Sequence, residues 1–179
     1  MPSSAAQDLA AYQLCRNQTA AQLADLIRAP DANKATRLAA VRALQQFDYA
    51  AIRPVVADLL ASPRASHRAA AAAALGQMQT ALNANERDEI AATLIALWRH
   101  DARAGVRADC LASVGHLFRR GTFARAEFTR CGFAQALRPL WHSPHPTIAN
   151  ALAFAAAYIP LNSVVQRFLL RRLASADNT

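Results

Sequence analysis

The residue types that most often bind metal ions are present in this sequence, but their spacing is unfavourable. His142 and His145 lie three residues apart in the segment WHSPHP at 141–146. Its two prolines make that segment a loop, and no carboxylate or thiol follows at a ligand spacing. The other histidines have no partner of this kind nearby; they are His67, His100 and His116. We therefore expect no metal ion and no other cofactor.

Residues for catalysis are equally scarce. The sequence contains no glycine-rich phosphate loop, no Gly-x-Ser-x-Gly motif and only three glutamates. Its cysteines are odd in number and widely spaced, which indicates buried thiols rather than a disulfide framework or a zinc site; they are Cys15, Cys110 and Cys131. These observations favour a protein without catalysis of its own, and no catalytic residue is predicted.

The composition is typical of a folded chain of one domain. Hydrophobic residues make up 54% of the 179 positions and charged residues 18%, with only five glycines. The longest apolar runs, such as 69–75 and 151–159, are too short to span a membrane. The first residues lack a basic stretch before an apolar core, which a secretory signal would have. We expect a cytoplasmic protein that does not contact a membrane.

The net charge of +8 permits an acidic protein or a nucleic acid as a partner. All basic residues except Lys34 are arginines, a bias that codon usage can also produce, so the charge alone does not favour nucleic acid. Positive charge increases along the chain, with +1 in residues 1–63, +3 in 64–120 and +4 in 121–179.

An internal repeat explains the alanine-rich composition. The segments TRLAAVRALQ, HRAAAAAALG and VRADCLASVG align on Arg37, Arg68 and Arg107, and a degenerate fourth copy has Ala149 in the same place. Positions three, four and seven after the arginine lie on one face of a helix and are small or apolar in every copy. We therefore predict that this face packs closely against neighbouring helices, with Gly76 and Gly115 extending the close approach.

A second amphipathic segment precedes each copy, and short turns rich in Asp, Ser and Pro join the two. These segments are 20–27, 50–63, 88–101 and 133–144. Proline within two of them, at Pro54 and Pro139, is expected to kink or restart the helix. A helix, a turn and a helix at intervals of 31, 39 and 42 residues predict an all-α fold, an α-solenoid of about four helical hairpins.

The ends and one insertion complete the predicted organisation. We predict a single domain over 1–179, in which 1–18 form an N-terminal cap, 19–158 the repeats and 159–179 a C-terminal cap containing an amphipathic helix over 161–176. Residues 121–132 interrupt the repeats, and the glycines at both ends predict an extra helix or turn there.

The repeats resemble the HEAT-repeat family, whose second helices read roughly V-R-x-x-A-A-x-A-L-G. HRAAAAAALGQM and DARAGVRADCLASVGHL carry this motif well, whereas TRLAAVRALQ has Gln45 in the glycine place. The resemblance covers about 19–158 and extends to short bacterial repeat proteins such as the phycobilin-lyase-like family, although nothing here implies a bilin. It implies a protein-binding function, and a ladder in which the repeated arginines meet turn aspartates such as Asp31 and Asp101.

In HEAT repeats the second helices usually line a concave surface, and this resemblance nominates a binding surface. Positions two, five and nine after the repeated arginine lie opposite the packing face. The resulting concave-face candidates, with two arginines at the edge, are Arg42, Gln46, Gln77, Asp109, His116, Arg119, Arg120, Phe154 and Tyr158. Amide, imidazole, aromatic and guanidinium groups are common at protein interfaces, so we expect a protein partner.

Two other functions are compatible with the sequence. HEAT-like DNA glycosylases hold damaged DNA with Trp, Asp and Arg, and Trp98 and Trp141 with Asp101 or Asp109 could imitate that set. The more economical interpretation places both tryptophans in the core. The apolar stretch 151–159 could instead mediate self-association of a structural subunit. The sequence does not determine the oligomeric state.

Overall fold

The structure, a computed structural model, describes the backbone of residues 4–161 and the side chains of residues 8–161. The described part is entirely helical, with ten α-helices, one 3₁₀ helix and no strand. The predicted fold class, all-α and built of helical hairpins, is confirmed. Apart from Leu161, the predicted C-terminal helix over 161–176 lies outside the described residues.

The contacts divide the chain into two compact units, one ending at Ala81 and one beginning at Leu82. The organisation predicted from the sequence, a single domain over 1–179 with caps at 1–18 and 159–179, stays a prediction. The first unit contains α1 (Ser4–Cys15), α2 (Ala20–Arg28), α3 (Lys34–Leu44), α4 (Tyr49–Ala61) and α5 (Ala65–Gly76). The second contains α6 (Ala84–His100), α7 (Ala104–Arg119), α8 (Arg125–Arg130), α9 (Phe133–Leu137), the 3₁₀ helix (Arg138–Leu140) and α10 (Pro146–Ala156).

Within each unit, first helices pack on first helices and second helices on second helices. In the first unit α2 contacts α4, α3 contacts α5, and α1 packs against α3. In the second unit α6 contacts α9, and α7 packs along α10. Each hairpin thus buries its apolar faces against its neighbour, which no single hairpin could do alone.

Polar caps and prolines set the helix boundaries. Thr19 and Asn83 each accept a hydrogen bond from the backbone three residues later, and side chains there bond back to the cap. These capping boxes fix where α2 and α6 begin. The predicted restart is confirmed at Pro139, where α9 gives way to the 3₁₀ helix, whereas Pro54 lies inside an unbroken α4.

The predicted packing face is buried in all four copies. Its members after the repeated arginine positions are Ala40, Val41, Leu44, Ala71, Ala72, Leu75, Cys110, Leu111, Val114, Leu152, Ala153 and Ala156. At Gly115 an added Cβ would lie 2.9 Å from the Cα of Ala155. The alanines and Gly115 therefore serve the role that the repeat predicted, which is to let helices approach closely.

Two of the repeated arginines, Arg37 and Arg68, hold the turn of their own hairpin. Arg37 Nη2 donates to the carbonyl of Ala29 at 3.0 Å, just past the end of α2. Arg68 Nη1 donates to the carbonyls of Ser62 and Pro63, at 2.9 and 3.0 Å, just past the end of α4. Both arginines thus bond to carbonyl groups of the turn that follows the preceding helix. Adjacent repeats of the first unit are joined by a different ion pair, between Arg28 and Asp58.

The insertion forms α8 between two glycines with left-handed backbone, Gly121 and Gly132, whose φ angles are 74° and 71°. This confirms the extra helix predicted over 121–132. The insertion also contributes to an aromatic cluster in the second unit, whose rings lie 5.7 to 6.2 Å from their neighbours; it comprises Trp98, Phe118, Phe123, Phe128 and Phe133. No helix of the described part is long and apolar enough to cross a membrane.

Acidification is expected to destabilise the first unit through His67. This side chain is 6% exposed, its Nδ1 lies 2.9 Å from Ser62 Oγ, and burial together with Arg64, Arg37 and Arg28 lowers its pKa below the ordinary 6.5. The unfolded chain then binds more protons just below pH 6.5, so stability present above that pH is lost as the pH falls. Urea unfolding at pH 7.5, 6.5 and 5.5 measures this loss.

The variant His67→Gln is the control for that measurement. It keeps a polar side chain near Ser62 but does not titrate, so the loss of stability on acidification should shrink. An unchanged pH dependence in His67→Gln would contradict the assignment to this histidine.

Candidate functional site

Four of the predicted binding residues form one cluster on α7 and α10 of the second unit. The ring of His116 lies 4.8 Å from that of Phe154, whose ring lies 5.3 Å from that of Tyr158. The guanidinium carbon of Arg119 lies 5.5 Å from the centre of the Tyr158 ring, a cation–π distance. We call His116, Arg119, Phe154 and Tyr158 the aromatic–cationic cluster.

Packing between α7 and α10 positions the side chains of the cluster. Phe154 is half-buried, and a Cβ added at Gly115 would lie 2.9 Å from its Cε1 atom. The absence of a side chain at Gly115 therefore leaves the space in which the Phe154 ring lies. Tyr158 is 40% exposed just beyond α10, and Arg119 is exposed at the end of α7. The sequence predicted these residues on one face, and the structure brings them together.

Charge at the cluster comes from arginine rather than histidine. Burial, with smaller effects from Arg120 and Arg119, lowers the pKa of His116 below its ordinary value, so its imidazole is neutral at pH 7. Desolvation raises the pKa of Asp109, another predicted binding residue, which lies on α7 and is exposed by its surface area. The surface therefore presents a neutral imidazole and two aromatic rings beside guanidinium groups, which suits an acidic protein surface with apolar contacts.

The predicted residues of the first unit lie in a different place. Arg42 and Gln46 line a cleft of about 300 Å³ between α1 and α3, together with Tyr12 and Leu38. Arg42 is on α3, but Gln46 lies two residues beyond it and the half-buried Gln77 directly follows α5. Both glutamines were predicted by counting positions along an ideal helix, but each of the two helices ends before its glutamine.

Exposed apolar side chains on α1 and α3 were not predicted from the sequence. Leu9, Tyr12, Leu14 and Leu38 are 58%, 60%, 47% and 44% exposed. A signal was present, because α1 has apolar residues nearly all round its surface and a terminal helix has only one neighbour to cover them. Because residues 1–18 were interpreted only as an N-terminal cap, these exposed side chains were not predicted.

The nominated tryptophans and cysteines are mostly core residues. Trp98 is 1% exposed and its ring lies 5.9 Å from that of Phe133, so the core interpretation is confirmed for it and a stacking role on DNA is not available. Trp141 is half-buried. Cys15 and Cys110 are buried as predicted, whereas Cys131 is only half-buried and donates to Asp88 Oδ1 at 3.3 Å.

Burial raises the pKa of all three thiols, that of Cys131 to about 11, with Asp88 adding to the effect there. A thiol with a raised pKa is a poor nucleophile at neutral pH. Within residues 4–161, no three His, Cys, Asp or Glu residues are grouped so that they could hold a metal ion.

Comparison with known proteins identifies the fold but not a partner. A family model described as HEAT repeats matches residues 6–115, more than half of the chain. The crystal structure of YibA from Escherichia coli is similar, with a TM-score of 0.71, 17% sequence identity and coverage of 100% of this chain. The chain spans 65% of the length of YibA, and at this identity the likeness concerns the fold alone. No curated protein matches the sequence.

Proposed function

Since the chain belongs to the HEAT-repeat family, we propose that it is a non-catalytic interaction module that binds an acidic protein partner through the aromatic–cationic cluster. HEAT repeats generally mediate protein interactions. The observation that carries the proposal is the contact series His116, Phe154, Tyr158 and Arg119 on the accessible side of α7 and α10.

The physical composition of the cluster supports binding rather than a purely structural role. Tyrosine and arginine dominate the energetics of protein interfaces because they combine apolar area with hydrogen bonding. Tyr158 remains 40% exposed, and among residues 4–161 Arg119 makes a cation–π contact and no ion pair, so its charge is available to a carboxylate. The +4 charge of residues 121–179 would attract an acidic partner before contact.

Affinity capture with matched variants tests the proposal. Immobilised wild-type protein, the double variant Arg119→Ala with Tyr158→Ala, and the control Arg125→Ala are each exposed to a native lysate of the source organism. Arg125 is also an exposed arginine of the second unit, but lies on α8. We expect wild type and control to retain the same protein, and the double variant to lose it.

Two results would contradict this function. The first is retention of that protein by the double variant at the wild-type level, which would remove the cluster from the interface. The second is recovery of nucleic acid without any protein partner. Binding of duplex DNA that weakens steeply with salt would then support the nucleic-acid alternative.

A further inference from the structure

We infer that an open cavity in the second unit, separate from the aromatic–cationic cluster, binds a small organic phosphate monoester. The cavity has a volume of about 720 Å³ and lies between the end of α6, the start of α7, the 3₁₀ helix and the loop before α10. This volume is within the range of small-molecule sites. The inference concerns a ligand site and goes beyond the proposed protein interaction.

The polar groups that line the cavity are those of an anion site. Arg99 and Arg107 both line it, and the loop WHSPHP contributes His142 and His145. No aspartate or glutamate is among the lining residues. Two guanidinium groups match the two negative charges of a phosphate monoester, and imidazole N–H groups can donate further hydrogen bonds to its oxygens. The loop at 141–146, whose spacing is unfavourable for a metal ion, thus contributes to the proposed anion site instead.

Arg107 departs from the role of its counterparts in the other repeats. Arg37 and Arg68 donate to carbonyl groups just beyond the preceding helix. Within the described part of the chain, Arg107 makes no such hydrogen bond and no ion pair, and its Nε is buried without a partner. Arg37 also has an unpartnered Nε, but its Nη2 is engaged. The guanidinium of Arg107 thus lines the cavity without a hydrogen-bond acceptor among the described residues.

Trp98 also lines the cavity, and its ring is 1% exposed. Its Nε1 has no hydrogen-bond partner among the described residues but is enclosed by protein atoms, as is the Nε of Arg107. The anion is therefore assigned to the terminal guanidinium nitrogens of Arg99 and Arg107, which line the same cavity. Arg99 is exposed at the rim and makes no ion pair in residues 4–161. An anionic ligand provides the hydrogen-bond acceptors that the two guanidinium groups lack among the described residues.

The remaining wall of the cavity is apolar and explains why the ligand should be organic. Pro139, Leu140 and Ile148 line it, and Ile148 is 1% exposed. Inorganic phosphate would leave this surface uncovered, whereas an aromatic or aliphatic group attached to the phosphate would bury it. The structure therefore assigns an anionic head to Arg99 and Arg107 and an apolar body to Pro139, Leu140 and Ile148.

Titration calorimetry with three probes tests the assignment on the full chain. Phenyl phosphate carries both parts of the proposed ligand, inorganic phosphate only the charge, and benzyl alcohol only the ring. We expect phenyl phosphate to bind more tightly than inorganic phosphate, and benzyl alcohol not to bind measurably. Arg99→Gln and Arg107→Gln should each weaken phenyl phosphate about tenfold, as expected for one lost charge-assisted hydrogen bond, and Arg125→Gln should leave it unchanged.

Arg99→Gln keeps the test valid if Arg107→Gln fails to fold, because Arg99 is exposed and no described contact depends on it. The absence of saturable phenyl phosphate binding at millimolar concentration would overturn the site. Equal affinity of Arg99→Gln and Arg125→Gln for phenyl phosphate would remove Arg99 from it. Equal affinity for inorganic and phenyl phosphate would overturn the organic ligand.

Discussion

Replacement of Gly115 by alanine should lower the free energy of unfolding of the second unit by about 2 kcal/mol. The added Cβ would lie 2.9 Å from the Cα of Ala155 and 2.9 Å from Cε1 of Phe154. A backbone atom cannot move aside alone, so α7 and α10 must separate, and overpacking of this kind costs up to about 3 kcal/mol. The better helix propensity of alanine offsets about 1 kcal/mol. Urea unfolding followed by circular dichroism measures the difference.

Gly105→Ala provides a matched control on the same helix. An added Cβ there meets nothing within 4 Å, so the substitution should be neutral or slightly stabilising. Equal stabilities of Gly115→Ala and Gly105→Ala would show that α7 and α10 do not approach as described. Because Phe154 packs over Gly115, the substitution should also weaken capture of the protein partner if the aromatic–cationic cluster binds it.

Glu127→Gln is expected to destabilise the second unit by about 2 kcal/mol. Glu127 is 6% exposed, and it accepts hydrogen bonds from Arg87 Nε and from the backbone N–H of Ala124, both at 2.9 Å. A glutamine has the same shape but only one acceptor oxygen, so its NH₂ group would face one of these donors. Arg87, which is 28% exposed, would lose its charged partner at the same time. Thermal and urea unfolding measure the effect.

The neighbouring pair Arg130 and Asp88 supplies the comparison. Both side chains are more than 40% exposed, although Arg130 Nη2 lies 2.6 Å from Asp88 Oδ1. Water screens exposed pairs, so Asp88→Asn should have a much smaller effect than Glu127→Gln. The reverse order would show that burial of Glu127 does not govern the strength of this network.

The pH dependence of the second unit gives an independent check of Glu127. Burial by itself raises its pKa, but the N–H of Ala124, with Arg87 and Arg130, outweighs burial and lowers the pKa below the ordinary 4.5. Stability from this carboxylate is therefore fully present above pH 4.5 and is lost as the pH falls through the lowered value. The part of acid unfolding that disappears in Glu127→Gln belongs to this residue.

The spacing of apolar residues in the sequence repeat was sufficient to predict the helices and their buried faces. Positions three, four and seven after Arg37, Arg68 and Arg107 are buried as predicted, because a helix has a fixed period and alanine-rich faces must be covered by a neighbour. The turns and the insertion were also predictable, since proline, glycine and capping residues act locally. The all-α fold class and the resemblance to the HEAT-repeat family could both be inferred from the sequence alone.

The tertiary structure decided which residues share a site. Arg107 aligns with Arg37 and Arg68 in sequence, yet within residues 4–161 those two bond to the preceding turn and Arg107 does not. The loop at 141–146 reads as a weak metal motif, and the fold instead places it beside two arginines at one cavity. Contacts between residues far apart in sequence depend on how helices are spaced and rotated against each other, which a repeat pattern does not encode.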